Sequence, residues 1–438
     1  MRKIHARVLA KLEYMAKRAR EMEDSNPAGA CKIMVIVALT IRAHLRQARA
    51  PRPATYVSAN VRFRGIWRDW RRAGLQHLPD AAMIRFCGFS KDMVFLMASE
   101  MSKDPELASL VPTSRYWKRL DERARPSCDV LDVTVLALRE IATIGYQHNL
   151  STDIGLHMGV IGKYLRRGKK GLLRFLKAHA AAQVELIPDK ATGHAAHRAL
   201  EMQHGPCPRQ GVWFVYAIDG TVTAILAPED EDLRVQYYCG AKKIHGFNSI
   251  LLVSPLGTIH AMRLFLPGNV TDAVGAEPIF EMLFDPAQNP HKFGTLADFG
   301  FFVYCHTDPA VAPVVRPFIP TKDFNIPEDL KGPVAVFSAW VTTCRQFNEW
   351  VNGSAKRGFP RWQVRRDISH LEAIKEDMEI YLRLYNFRVR MCGWSQTRTV
   401  YLPHILACFE EQGLVWNEVT CAFDLPAGDR AEPPMEDD

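Results

Sequence analysis

Seven consecutive residues, Val212-Trp213-Phe214-Val215-Tyr216-Ala217-Ile218, are apolar, and the eighth is a carboxylate, Asp219, followed at once by Gly220 and Thr221. An unbroken apolar run of this length predicts a strand buried on both faces. A charge at its tip is either a turn residue or part of a site, and a site needs further polar groups. "TLADFGF" (295–301) repeats the arrangement, with a short apolar strand ending on Asp298 and a glycine close behind. "CRQFNEWVNG" (344–353) places Glu349 on a predicted helix, between Phe347 and Trp350. Neighbouring strands of one sheet can bring two such Asp side by side, and a helix packed across the sheet edge can bring a Glu to the same spot. Clustered carboxylates raise one another's pKa. A divalent cation relieves that repulsion, and carboxylate oxygens with room for water are the ligands Mg²⁺ prefers. Two such ions about 4 Å apart would clamp the attacking and leaving oxygens of a phosphoryl transfer. Taken singly, Asp219 and Asp298 are turn or cap residues and Glu349 a surface residue; the combination in this order points to a metal site.

The 438 residues, with 47% hydrophobic and 24% charged side chains, suffice for two or three domains with a substantial core. The longest apolar candidate, Ile33–Ile41, is flanked by Lys32 and Arg42 and predicts a buried helix rather than a membrane span. The ten cysteines form no Cys-x-x-Cys pair and no His cluster completes a zinc pattern, so reduced thiols in a cytosolic or nuclear protein are expected, without structural zinc. The net charge of +8 hides an asymmetry. Residues 1–210 hold 36 Lys and Arg against 19 Asp and Glu, which leaves 20 against 29 for the remainder. A basic front half suits a polyanion and an acidic back half suits metal cations.

Break signals divide the chain into helices over 1–50, a helical region over 60–187, a linker over 188–210 and an α/β region over 211–402, with a tail over 403–438 that turns acidic and disordered from Pro426. Within 129–178 three helical stretches (Val130–Ile144, Thr152–Met158 and Ile161–Ala178) outline a helix-turn-helix. The third carries Lys163, Arg166, Arg167, Lys169, Lys170, Arg174 and Lys177, a density able to neutralise several phosphates. Gly168 and Gly171 lower its helix propensity. After residue 211 the pattern predicts a hairpin of Phe247–Ser254 and Thr258–Leu266 about Pro255-Leu256-Gly257. It also predicts strands at 294–297 and Ala312–Ile319, and helices at Asp272–Phe284, Ala335–Trp350 and Ile368–Phe387. That order suggests a mixed sheet with helices on both faces.

The stretches "AIDGT" (217–221), "YYCGAKKIHGFNSILLVSPLGTI" (237–259), "LPGNVTDA" (266–273), "LADFGF" (296–301), "RQFNEWVNGSAKRGFPR" (345–361) and "YLRLYNF" (381–387) carry a resemblance across about 212–402. In this order they resemble the DDE endonuclease domain of PIF/Harbinger-type transposases, a branch of the RNase H-like superfamily. Phe301 stands where that family usually has Tyr. The resemblance implies an RNase H-like mixed α/β sheet behind an all-α front end. It implies Asp219, Asp298 and Glu349 as catalytic triad, and Asp272 as a further acidic position of the metal site, with N-capping of the following helix as its alternative. Tyr238, Lys242, Lys243, His245 and Asn248 match a further stretch, whose lysines would contact the DNA backbone. The implied activity is phosphodiester hydrolysis and strand transfer on transposon ends and target DNA, with two Mg²⁺ or Mn²⁺ ions. The implied partners are DNA, a second copy of the chain and a Myb/SANT-like accessory protein that assists import to the nucleus, with no membrane association. The alternatives are a domesticated or inactive DNA-binding protein of the same descent, and a nuclease of the same fold acting on RNA–DNA hybrids.

Overall fold

The computed structural model describes residues 79–108, 128–144, 147–155, 158–305, 310–317, 327–411, 415–417 and 422–424. The chain divides into two units, Met1–Phe63 and Arg64–Asp438. The first, with the helices expected over 1–50, lies outside the described residues, as does the acidic tail from Pro426.

The second unit begins with helices α1 (Asp80–Cys87), α2 (Lys91–Met101), α3 (Pro105–Ala108), α4 (Val130–Ile141), α5 (Gln147–Ile154) and α6 (Met158–Ala178). A capping box starts α4. The Asp129 carboxylate accepts from Asp132 N at 2.9 Å, and Asp132 accepts from Asp129 N at 3.2 Å. The glycines of α6 have a packing role that propensity conceals. A Cβ at Gly168 would stand 2.8 Å from Val133 O, and one at Gly171 would stand 2.4 Å from Leu107 Cδ1. Their missing side chains let α6 cross α4 and α3 at close range.

Most of residues 188–210 is helical. Asp189 accepts from Thr192 N at 2.6 Å and caps α7 (Lys190–His204). Its histidines are packed: His197 is buried, His194 lies against Trp213, and His204 Nε2 is 2.6 Å from Tyr401 Oη.

The apolar run forms β1 (Phe214–Ala224), with Phe214 to Ile218 fully buried. The strand does not stop at Asp219. Antiparallel pairing continues past it as far as Ala224 opposite Gly246. Beyond it come α8 (Glu231–Gln236), β2 (Tyr238–Cys239), β3 (Ile244–Val253) and β4 (Ile259–Pro267), with Gly257 at φ +79° in the expected hairpin turn. Helix α9 (Asp272–Phe284) follows, then β5 (Gly294–Leu296) and the two-residue β6 (Val314–Val315), shorter than the expected Ala312–Ile319. Helices α10 (Glu328–Cys344) and α11 (Gln346–Gly358) take the place of one expected helix; at their junction Asn348 N bonds Arg345 O three residues back, at 2.9 Å. Helices α12 (Leu371–Cys392) and α13 (Gln396–Glu411) complete the fold, so the boundary expected at 403 falls inside a helix. A hairpin of β7 (Val415–Asn417) and β8 (Ala422–Asp424) lies beyond.

The sheet order is β4-β3-β1-β5-β6, with β2 also on β3. Strand β3 runs antiparallel to both of its neighbours β4 and β1, while β5 and β6 run parallel to β1. One face packs Val215, Ile218, Ile250 and Leu252 under Ile279, Phe280 and Leu283 of α9. The other packs Phe214, Ala217 and Leu251 under α11 and α12 in a core that continues into the helical layer through Leu136, Leu172 and Leu176. This is a mixed α/β architecture with helices on both faces. No helix among the described residues is long and apolar enough to cross a membrane.

Candidate metal centre and nucleic-acid interface

Register brings the first two carboxylates together. Ala217 of β1 pairs with Leu296 of the parallel β5, and two residues further along each chain come Asp219 and Asp298. Asp219 accepts from Gly220 N at 2.9 Å; Asp298 accepts from Gly300 N at 2.8 Å and caps the 3₁₀ turn Phe299–Tyr304. Burial pushes the Asp219 carboxyl up to about 6. The Arg345 guanidinium opposes this, and the charges of Asp298 and Asp272 add to it.

Asp272 joins from the other side. The cap of α9 is Thr271, which accepts from Val274 N at 3.5 Å, so Asp272 is left for other contacts. Its Oδ1 accepts from Asn248 Nδ2 at 2.5 Å. Burial raises its pKa against that hydrogen bond; Asp298 raises it further and Lys242 lowers it. Gly220 makes the approach possible, since a Cβ there would stand 2.4 Å from Asp272 Oδ1. Gly220→Ala must therefore displace the Asp272 carboxylate. We expect it to cost about 1–3 kcal/mol of stability as an overpacked contact, read as a lowered urea midpoint. Asp272→Ala in the same chain should recover most of that loss, and no recovery would refute the contact.

Glu349 lies on α11 and is exposed. Arg345, Glu349 and Lys356 are spaced to share one helix face. Arg345 lowers the Asp219 pKa, and Asp219 in turn supports the charge of Lys356. Lys356 Nζ lies 3.5 Å from Val222 O; burial lowers its pKa, Lys242 lowers it further and Asp219 opposes. Among the described residues, no group of three or more His, Cys, Asp or Glu is arranged to hold a metal ion. Three oxygen-donor side chains on β1, after β5 and at the start of α9 nonetheless act on one another electrostatically, and an anionic set of this kind suits a hard divalent cation.

Lys242 and Lys243 are exposed in the turn before β3, with Lys243 at φ +55°; His245 packs its ring against Tyr238. On α6, Lys163, Arg166 and Lys170 are exposed and Arg167 is half-buried. Lys169 faces inward. Its Nζ lies 2.9 Å from Glu140 Oε2 and 2.8 Å from Asp377 Oδ1. Arg361 and Arg366 hold the second oxygen of each carboxylate, at 3.2 and 2.5 Å. This corrects the expectation that Lys169 meets phosphate. Burial opposes its charge, but Glu140 and Asp377 outweigh it and raise its pKa. Arg174 pairs with Asp104 and Glu106, and Lys177 with Glu379.

Arg345 and Lys356 were missed at the sequence level, although their spacing about Glu349 is legible there. Compared with protein-family models, with curated proteins and with solved structures, the chain finds no match in any of the three. The class that the fold defines is a mixed α/β protein with helices on both faces of its sheet.

Proposed function

We propose that this chain is a divalent-metal-dependent DNA endonuclease and strand transferase of the DDE type, built on an RNase H-like sheet. The observation that carries the reading is the register placing Asp219 and Asp298 on adjacent parallel chains, with Asp272 brought against Gly220. The strand order, an antiparallel meander extended by two parallel strands, supports the RNase H-like assignment.

Asp219, Asp298 and Asp272 would hold Mg²⁺ or Mn²⁺, with Glu349 as the donor from α11. The bound ions supply Lewis-acid activation of the attacking oxygen and charge stabilisation at the leaving 3′ oxygen. Arg345 and Lys356 offset the charge of the carboxylates and sit where a phosphate would be steered. Lys242, Lys243 and His245 contact the backbone near the reacting phosphate. Lys163, Arg166, Arg167 and Lys170 meet the flanking duplex from the helix-turn-helix formed by α4, α5 and α6. The partners are element ends and target DNA, a second copy of the chain and a Myb/SANT-like protein, in the nucleus.

A second reading is favoured by the exposure of Glu349 on α11. It describes a DNA-binding protein of transposase descent that no longer cuts. Titration calorimetry with Mn²⁺ on the full chain separates the two. Binding that weakens at least roughly ten-fold in both Asp298→Asn and Glu349→Ala supports the enzyme. A folded wild type that binds no Mn²⁺, with or without DNA, leaves the second reading.

A further inference from the structure

The 3₁₀ turn that Asp298 caps carries an aromatic column on its outer side. Phe301 is fully buried against Phe280, and Tyr304 stacks on Phe280 at 4.1 Å between centroids, so the turn is anchored from within. The Tyr304 hydroxyl donates to Ala273 O at 3.2 Å, which ties the turn to the residue after Asp272. Against this fixed base, Phe299 and Phe302 stack with centroids 6.1 Å apart and planes 22° from parallel. The Arg316 guanidinium lies 4.5 Å over the Phe299 ring. Phe302 remains 51% exposed, and Val303 beside it and Val274 on the first turn of α9 are 55% and 63% exposed.

An exposed ring is ordinarily unfavourable in water, and this one is held flat by a turn whose first residue is a site carboxylate. We infer that the Phe302 face is a stacking platform for one unpaired nucleobase of the DNA strand whose phosphate is steered by Arg345 and Lys356 to the ion site of Asp219 and Asp298. This rests on the proposed function. Three observations select that occupant. The platform is a single exposed ring with Val303 next to it in the chain, far below the roughly 800 Å² per partner of a stable protein interface. The column ends in a cation over a ring, the combination that nucleic-acid channels use to follow base and phosphate together. The platform is continuous with the carboxylates through Asp298 and through the Tyr304–Ala273 bond, so a base seated there belongs to a nucleotide beside the reacting bond. A base can reach it only when unstacked, so the platform selects a frayed or single-stranded end over intact duplex.

The test is fluorescence anisotropy on the full chain with Ca²⁺ in place of Mg²⁺, so that the carboxylates are charge-compensated, with a DNA duplex carrying a single-stranded overhang and the same duplex blunt-ended. The wild type should prefer the overhang. Phe302→Ala should weaken overhang binding roughly ten-fold and leave blunt binding unchanged, while Phe302→Trp keeps the preference. Because Phe302 is half in solvent, its removal does not threaten folding; Val303→Asp, at the platform's edge, should act in the same direction. Equal binding of the overhang by wild type and Phe302→Ala, an equal loss on both duplexes, or no wild-type preference overturns the platform. Cleavage with Mg²⁺ is read separately. A Phe302 effect in a chain that does not cut sinks the nuclease reading alone, and cutting without a Phe302 effect sinks the platform alone.

Discussion

Asp219→Asn will stabilise the full chain at pH 7 and at the same time remove its response to Mn²⁺. The Asp219 carboxyl is raised from 3.8 to about 6, first by burial and then by Asp298 and Asp272 against the pull of Arg345. An acid whose folded pKa lies above its unfolded value holds its proton more tightly when folded. It therefore adds nothing unfavourable below pH 4, costs stability progressively between pH 4 and 6, and imposes the full cost above pH 6. That cost is on the order of 2 kcal/mol, allowing for partial solvent screening. Asparagine has a similar shape and no charge, so thermal unfolding at pH 7 should shift upward, and the gain should close as the pH falls to 4. A cation bound by the wild-type carboxylates repays the repulsion, so Mn²⁺ should raise the wild-type melting temperature and leave that of Asp219→Asn almost unmoved. A site residue is marked by this opposition of stability and ligand response. A structural Asp219 would lose stability on substitution at every pH, and that result would remove it from any metal site.

Lys169→Met will cost about 3 kcal/mol, measured by urea unfolding at pH 7. Glu140 and Asp377, with side chains only 6% and 4% exposed, each give one oxygen to Lys169. Removing the cation leaves both buried carboxylates with incomplete counter-charge. Arg361 and Arg366 on their other oxygens keep the loss at the lower end of the range for a broken buried pair. The raised Lys169 pKa places its contribution below the ordinary lysine range of titration, so the loss persists across neutral pH and fades only in strong alkali. Lys170→Met, one residue along and exposed, should lie within about 0.5 kcal/mol of wild type. Its effect should appear instead in the salt dependence of DNA binding. A reversal, with Lys169→Met stable but weak for DNA, would refute the inward assignment.

The contrast between Lys169 and Lys170 shows where sequence reading reached its limit. Both belong to one dense basic stretch, and nothing local distinguishes them. What separates them is the position of Asp377, more than 200 residues away, on a helix that packs on α6. Gly168 and Gly171 illustrate the same limit: they are weak helix residues by propensity, yet their missing side chains allow two other helices to approach.

Local chemistry alone determined a good deal. The apolar run before Asp219 specified a buried strand, Pro255-Leu256-Gly257 specified the hairpin turn, and the helix expected over Asp272–Phe284 is α9 with those limits, although its cap is Thr271 rather than Asp272. The carboxylates at 219, 298 and 349 were visible as candidates from their settings, and Asp272 through the family resemblance alone. Only the tertiary structure decided that β1 continues through Asp219, because strand length depends on the partner and β3 remains paired as far as Gly246. It alone decided that Asp219 and Asp298 lie side by side, since register belongs to two strands rather than one. It also left Glu349 exposed beside Arg345 and turned Lys169 inward. Apolar periodicity and turn chemistry act between near neighbours and are written in the sequence; charge pairing and register join segments that only folding brings together.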